Sequence, residues 1–257
     1  MFGISLNKPR FPSPQPPWLP KGMRVYAIGD IHGRADLLKR MQSMIRRDAA
    51  AARATRNMVV YLGDYIDRGP FVRDSIDAVL NGLDQNFEII CLRGNHEQLL
   101  LSFLDDPSIL PMWLDFGGLW TMMSYGVHPG NTRISEQRAI DLREELLLKM
   151  PAEHLRFFRD LPLQIRLGSY FFVHAGLRPK RAIEMQMPDD LLWIREDFIG
   201  EDHGLDVTVV HGHTIEKQPV NRRQKIGIDT GAYATGILTC AVLEADRIRF
   251  LDTGVGT

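Results

Sequence analysis

A chain of 257 residues with 44% hydrophobic content can bury a substantial core, and its length suits one α/β domain with an insertion. Its 31 basic and 32 acidic residues nearly cancel, which argues against nucleic acid or a membrane surface as partner, so an anionic substrate must be held by a local pocket. No secretory leader or apolar run of the roughly 18 residues needed for a membrane helix is evident, and Cys91 and Cys240 sit singly in apolar runs; the expectation is a cytoplasmic protein with two reduced thiols.

Pro9 to Pro20 holds six prolines in twelve positions, so residues 1–22 read as an extended arm ahead of a single domain over 23–257. The apolar run Val25–Ile28 predicts a buried strand that empties into Gly29-Asp30-Ile31-His32-Gly33. Leu37, Leu38, Met41, Met44 and Ile45 then recur at helical spacing within Asp36–Ala52. A second strand, Val59–Leu62, runs into Gly63-Asp64-Tyr65-Ile66-Asp67-Arg68-Gly69-Pro70. A crossover helix over Val72–Leu83 leads to a third strand, Phe87–Leu92, followed by Arg93-Gly94-Asn95-His96-Glu97. Right-handed β-α-β-α-β connectivity puts the three charged loops on one edge, where open α/β sheets carry their chemistry.

A helix is expected from Glu97 to Leu104, and a helical insertion over about 99–161 contains Trp113, Trp120, Met122, Met123 and Tyr125, then amphipathic stretches at Glu136–Leu148 and Glu153–Leu161. Its aromatic and methionine content reads first as the packing of a small subdomain bordering the site. Strands at Leu163–Leu167 and Tyr170–Val173 follow, the second ending in His174-Ala175-Gly176. After one short helix over Asp189–Phe198, Val207–Val210 ends in His211-Gly212-His213-Thr214, with further strands near Ile226, Ile237 and Ile248. The C-terminal third is therefore expected to form a mainly antiparallel sheet packed on the first, giving an α/β fold with a central β-sandwich flanked by helices.

Five strand ends thus carry aspartate, asparagine or histidine. Singly, such residues cap helices or satisfy carbonyls; together they suit a pair of divalent ions, which needs oxygen and imidazole ligands and a carboxylate able to reach both. Asp64, central in the set, is the natural bridge, Asp30 and His32 can reach one ion, and Asn95, His174 and His213 can complete the other. His211 reads as structural.

Gly-Asp-Ile-His-Gly at 29, Gly-Asp-Tyr-Ile-Asp-Arg-Gly at 63, Leu-Arg-Gly-Asn-His-Glu at 92, Val-His-Ala-Gly at 173 and Gly-His at 212 resemble the ordered motifs of the phosphoprotein phosphatase family, within the calcineurin-like metallophosphoesterases. The resemblance spans roughly residues 24 to 252 and implies that fold, with Asp30, His32 and Asp64 on one metal and Asp64, Asn95, His174 and His213 on the second. It further implies that a hydroxide between the metals attacks phosphorus, that His96 protonates the leaving oxygen, and that Asp67 orients His96. Arg68 would pair with phosphate oxygens, Asn95 would lie beside the substrate, and Arg195, within Leu192–Asp197, would be a second phosphate contact, while Arg93 braces its loop. Two divalent ions are the implied cofactor, Mn²⁺ first, with Fe²⁺ and Zn²⁺ also suited.

Ile228-Asp229-Thr230-Gly231-Ala232 stands where eukaryotic members carry Ser-Ala-Pro-Asn-Tyr-Cys, and it resembles bacterial members and dinucleoside tetraphosphate hydrolases. A bacterial or phage-type phosphatase acting on phosphoserine or phosphothreonine in proteins is the first expectation, because symmetrical tetraphosphate hydrolases generally lack an acidic residue where Asp67 stands. Hydrolysis of diadenosine tetraphosphate is the alternative. A non-enzymatic metal-stabilised module is disfavoured, since His96, Asp67 and Arg68 would have no purpose there.

Overall fold

The computed structural model describes residues 17–52, 54–130, 134–222 and 224–254, so residues 1–16 of the expected arm lie outside the described residues. Strands β1 (Met23–Ile28), β2 (Arg56–Tyr61) and β3 (Phe87–Cys91) alternate with helices α1 (Ala35–Ala50) and α2 (Val72–Asn81). The strands pair in parallel in that order, which brings the three charged loops to one edge as expected.

Helices α3 (Asn95–Asp105), α4 (Leu110–Asp115), α5 (Gly118–Ser124), α6 (Glu136–Lys149) and α7 (Ala152–Asp160) separate β3 from β4 (Gln164–Leu167). Next come β5 (Tyr170–Val173), α8 (Pro188–Trp193), α9 (Glu196–Gly200), β6 (Thr208–His211), β7 (Val220–Arg222), β8 (Lys225–Gly227) and α10 (Ala232–Thr235). Strands β9 (Thr239–Glu244) and β10 (Arg247–Asp252) close the described chain.

The C-terminal third departs from the expected antiparallel sheet. Strands β9 and β10 return to the first sheet, β9 lying antiparallel to β1, and the second sheet is mixed, with β5, β6 and β8 parallel and only β4 and β7 antiparallel at its edges. Short apolar runs separated by turns carry no signal for which neighbour a strand chooses; burial of both faces decides it. The expected helix over Asp189–Phe198 is also broken in two, because Ile194 is extended and Arg195 takes φ −131°, ψ −98°.

The pleat sorts side chains into layers. In β1, Val25 and Ala27 join Tyr170, Phe172, Val210 and Ile226 in a core between the sheets. Tyr26 and Ile28 point the other way, onto Leu38, Met41 and Ile45 of α1 and into the core shared with the insertion. Phe171, Val173 and Val209 face a third core with Leu191 and Phe198. The result is a helix–sheet–sheet–helix sandwich. Trp18 N–H donates to Ser169 Oγ at 2.7 Å and Leu19 N–H to the Ala245 carbonyl at 3.2 Å, so the last described part of the arm lies across the sandwich end remote from the charged loops. Cys91 and Cys240 are both free thiols. Among the described residues no helix is long and apolar enough to cross a membrane.

Candidate metal centre and active site

Because β1, β2 and β3 end at one edge of the first sheet and β5 and β6 end at the facing edge of the second, residues up to 183 positions apart meet. The meeting requires strained backbone. His32, Asp64, Asp67, Arg68 and His213 all have positive φ, between 45° and 67°, a region non-glycine residues adopt at a cost of about 1–3 kcal/mol each. That strain turns their side chains inward at the strand ends.

Two tight groups result, His32 with Asp64 and His96, and Asp64 with His174 and His213, and Asp64 belongs to both. Its Oδ2 lies 3.5 Å from His32 Nε2 and its Oδ1 3.4 Å from His174 Nε2. Asn95 joins the second group, with Oδ1 2.9 Å from His174 Nε2. Asp30 stands outside both tight groups, its carboxylate accepting from the His213 backbone N–H at 3.1–3.2 Å, but it is close enough to Asp64 for the two charges to repel.

The imidazole tautomers follow from their partners. Since a carbonyl only accepts, His32 Nδ1–H donates to Ile66 at 2.8 Å and His174 Nδ1–H donates to Leu62 at 3.0 Å, which leaves each Nε2 lone pair directed at the cluster. His174 Nε2 also lies 3.1 Å from His213 Nδ1. Burial pushes the Asp30 and Asp64 carboxyls well above the usual range and holds His32 and His213 below theirs, with His174 lowered to about 3. Carboxylates that resent their charge beside neutral imidazoles are the donor set a divalent cation stabilises.

Two glycines make room for it. A Cβ on Gly94 would stand 2.0 Å from Asp64 Oδ1, and one on Gly212 would stand 2.1 Å from Asp30 Oδ1. Only a bare backbone lets those carboxylates seat. Gly94 also precedes α3, and the His96 backbone N–H at that helix start donates to Asp64 Oδ1 at 3.2 Å. These residues therefore fit a metal pair in chemistry and in space.

Beside the cluster, His96 Nδ1–H donates to Asp67 Oδ2 at 2.7 Å, while its buried Nε2 has no hydrogen-bond partner among the described residues and lies 3.8 Å from Asp64 Oδ2. Asp67 is itself fixed by the insertion, its Oδ1 accepting from Thr121 Oγ1 at 2.5 Å and its Oδ2 from Trp113 Nε1 at 3.1 Å. Burial pushes Asp67 up to about 7 and holds His96 below its ordinary value.

Arg68 NH1 donates to His32 Nε2 at 3.2 Å. Arg195, in the break between α8 and α9, donates to the His213 carbonyl at 3.0 Å, and its charge is felt at His96 and His213. Arg93 donates to Gln98 Oε1 at 3.1 Å and the Arg159 carbonyl at 3.0 Å, tying its loop to the insertion. His211 stays clear of both tight groups, its Nδ1–H on the Gly212 carbonyl at 3.1 Å and its ring against Phe198.

Four contributors escaped the sequence reading. Glu97 accepts from the backbone N–H groups of Asp64, Tyr65 and Gly94, each at 2.9 Å, and so clamps two charged loops together. Asp229 faces Asp30 at the end of β8; an apolar run closing on an aspartate is the same signal that marked Asp30 and Asp64. Trp113 and Thr121 touch Asp67 from about fifty residues away, and no spacing rule announces that.

A two-sheet sandwich that gathers carboxylates, an amide and imidazoles around one carboxylate, with a histidine–aspartate pair beside them, defines a metallophosphoesterase. Residues 23–229 match the family model of the calcineurin-like phosphoesterase, and the chain belongs to that family, a family of metal-dependent hydrolases. It is 25% identical over 231 residues to the asymmetrical bis(5'-nucleosyl)-tetraphosphatase PrpE of Anoxybacillus flavithermus, covering 82% of this chain and 87% of the relative. The zinc-dependent endopolyphosphatase of Saccharomyces cerevisiae is 23% identical over 253 residues, covering 85% of this chain and 75% of the relative. A solved cold-active protein tyrosine phosphatase shares the fold, with a TM-score of 0.55 and 17% identity over 91% of this chain and 78% of that one.

Proposed function

We propose that this chain hydrolyses the phosphoanhydride chain of dinucleoside polyphosphates, the alternative that its Asp-Thr-Gly segment raised, in preference to phosphoserine or phosphothreonine in proteins. Two relatives that extend over most of this chain carry the names of a bis-nucleosyl tetraphosphatase and an endopolyphosphatase, and both names denote cleavage between phosphates. The presence of Asp67 favours the phosphoprotein reading less than those two relatives favour the anhydride.

Asp30, His32 and Asp64 would hold one divalent ion, and Asp64, Asn95, His174 and His213 the other. Bound there, the ions would supply Lewis acidity toward phosphate and an activated water, and Mn²⁺, Fe²⁺ or Zn²⁺ suits the oxygen and nitrogen donors.

The observation that carries the reaction type is the free Nε2 of His96 beside Asp64. With Nδ1–H committed to Asp67, a second proton on His96 can sit only on Nε2, and the Asp67 carboxylate stabilises the imidazolium so formed. As a P–O bond breaks and a new one forms to water oxygen, the Nε2 proton passes to the leaving oxygen. Arg68 and Arg195 flank this position and would neutralise phosphate oxygens as charge builds on them. Side-by-side turnover of diadenosine tetraphosphate and a phosphothreonine peptide with Mn²⁺ tests the proposal. The dinucleotide should have the higher kcat/KM; the reverse order would restore the phosphoprotein reading.

A further inference from the structure

The insertion treats its aromatic residues unequally. Trp113 and Tyr125 are buried, but Trp120 on α5 is left 42% exposed. Exposure alone says nothing, since Leu119 and Met123 are exposed on the same helix. Position is what sets Trp120 apart. Together with Arg68, Asp115, Phe116, Gly117 and Tyr233 it lines a cavity of about 460 Å³, within the range of pockets that hold small ligands.

Arg68 joins this cavity to the metal centre. Its NH1 lies 3.2 Å from His32 Nε2, and its Cζ lies 4.9 Å from the centroid of the Tyr233 ring. The side chain that closes the phosphate position is thus also a wall of the aromatic cavity. Gly117 keeps that wall thin: its φ is +100°, and a Cβ there would press on Arg68 Cγ and N at 3.0 Å.

We propose that this cavity is a nucleobase subsite, in which a base stacks against Trp120 and Tyr233 while the adjoining phosphate reaches Arg68. The inference rests on the proposed dinucleotide reaction and adds the residues that would distinguish a nucleotide from bare polyphosphate. Charge favours that occupant. Arg68 stands on the side of the metals, whereas the exposed carboxylate of Asp115 would repel further phosphate and can accept from a base amino group or a ribose hydroxyl. Stacking on aromatic faces is tolerant of base identity, so discrimination should be for nucleotide over phosphate.

Titration calorimetry of the Mn²⁺-loaded protein with ADP and with pyrophosphate tests this directly. ADP should bind about tenfold tighter than pyrophosphate, as one stacked base contributes. Trp120→Ala should lower ADP affinity about tenfold and leave pyrophosphate unchanged, with Trp120→Phe retaining most of the preference. ADP binding no tighter than pyrophosphate, or an unchanged preference in Trp120→Ala, would overturn the subsite. A larger loss in Trp120→Ala on a phosphothreonine peptide than on ADP would overturn it too, by assigning the cavity to peptide side chains. If diadenosine tetraphosphate were not turned over yet the ADP preference and its loss in Trp120→Ala held, the subsite would stand and the proposed reaction alone would fail.

Discussion

The Asp67 carboxylate stands 2.7 Å behind His96 Nδ1, and because both side chains are fully buried the opposite ring nitrogen can face only one way, toward Asp64. A ring so held is suited to deliver a proton to one point in space. It contributes nothing to gathering the metals if Nε2 is reserved for the leaving oxygen.

His96→Asn should therefore keep the metal content and the melting temperature near wild type while turnover falls. The fall should reach about 10²–10⁴-fold on phenyl phosphate, whose phenolate leaves reluctantly, and be much smaller on 4-nitrophenyl phosphate, whose leaving group needs little protonation. The ratio of the two substrates is the observable. Equal losses on both would make His96 a positioning residue, and loss of one ion would make it a ligand.

Trp113→Phe removes one donor to Asp67 and replaces the indole that stacks on Phe103, centroids 5.1 Å apart, with a smaller aromatic ring. Removing one partner of a buried carboxylate should cost about 1–3 kcal/mol of stability. The same leaving-group dependence as His96→Asn should appear, more weakly. A stable variant with wild-type selectivity between the two aryl phosphates would show that the insertion does not position Asp67 for catalysis.

These two cases mark how far the sequence could be read. Asp30, His32, Asp64, Asn95, His174 and His213 were legible because each follows an apolar run at a strand end, a local pattern that survives without knowing the fold. The parallel order of β1, β2 and β3 was legible from the crossover helices between them. The return of β9 and β10 to the first sheet was not, because hydrophobic periodicity reports that a strand has buried faces and says nothing of its neighbour. Nor was the grip of Trp113 and Thr121 on Asp67, which depends on how the insertion folds back over the site. Arg195 fell inside an expected helix, whereas the break in that helix is what carries its guanidinium to His213.

Gly94→Ala is the sharpest test of the seat for Asp64. Backbone φ at Gly94 is −96°, which alanine adopts freely, so the substitution acts through the close approach of its Cβ to Asp64, 2.0 Å from Oδ1 and 2.5 Å from the backbone N, and to Glu97 Oε2 at 2.8 Å. Metal affinity should drop by at least tenfold, with circular dichroism unchanged. A variant binding metal as tightly as wild type would show that Asp64 has room to spare.

At the far end of the first sheet, burial works against the charge of Asp48, yet hydrogen bonds from Arg249 and Tyr26, with the charge of Arg24, outweigh it and hold the carboxyl below its usual range. A carboxylate whose folded value is depressed stabilises above its unfolded pKa of about 3.9 and loses that contribution as pH falls through the folded value. Asp48→Asn should then be less stable than wild type at pH 7, by roughly 1 kcal/mol, and the gap should close below about pH 4. Thermal melts of both proteins across pH 3 to 7 measure it; a gap that stays constant would remove Asp48 from the acid limb of stability.

One carboxylate, that of Asp64, is shared by both groups of candidate ligands. Counting bound metal in purified Asp64→Asn by elemental analysis, beside its turnover of diadenosine tetraphosphate and 4-nitrophenyl phosphate, tests that sharing most directly. Wild type should carry two ions per chain, and Asp64→Asn should lose both together with turnover on either substrate. A variant that keeps one ion at full occupancy, or that loses both ions and still turns over after exhaustive chelation, would contradict the shared role of Asp64.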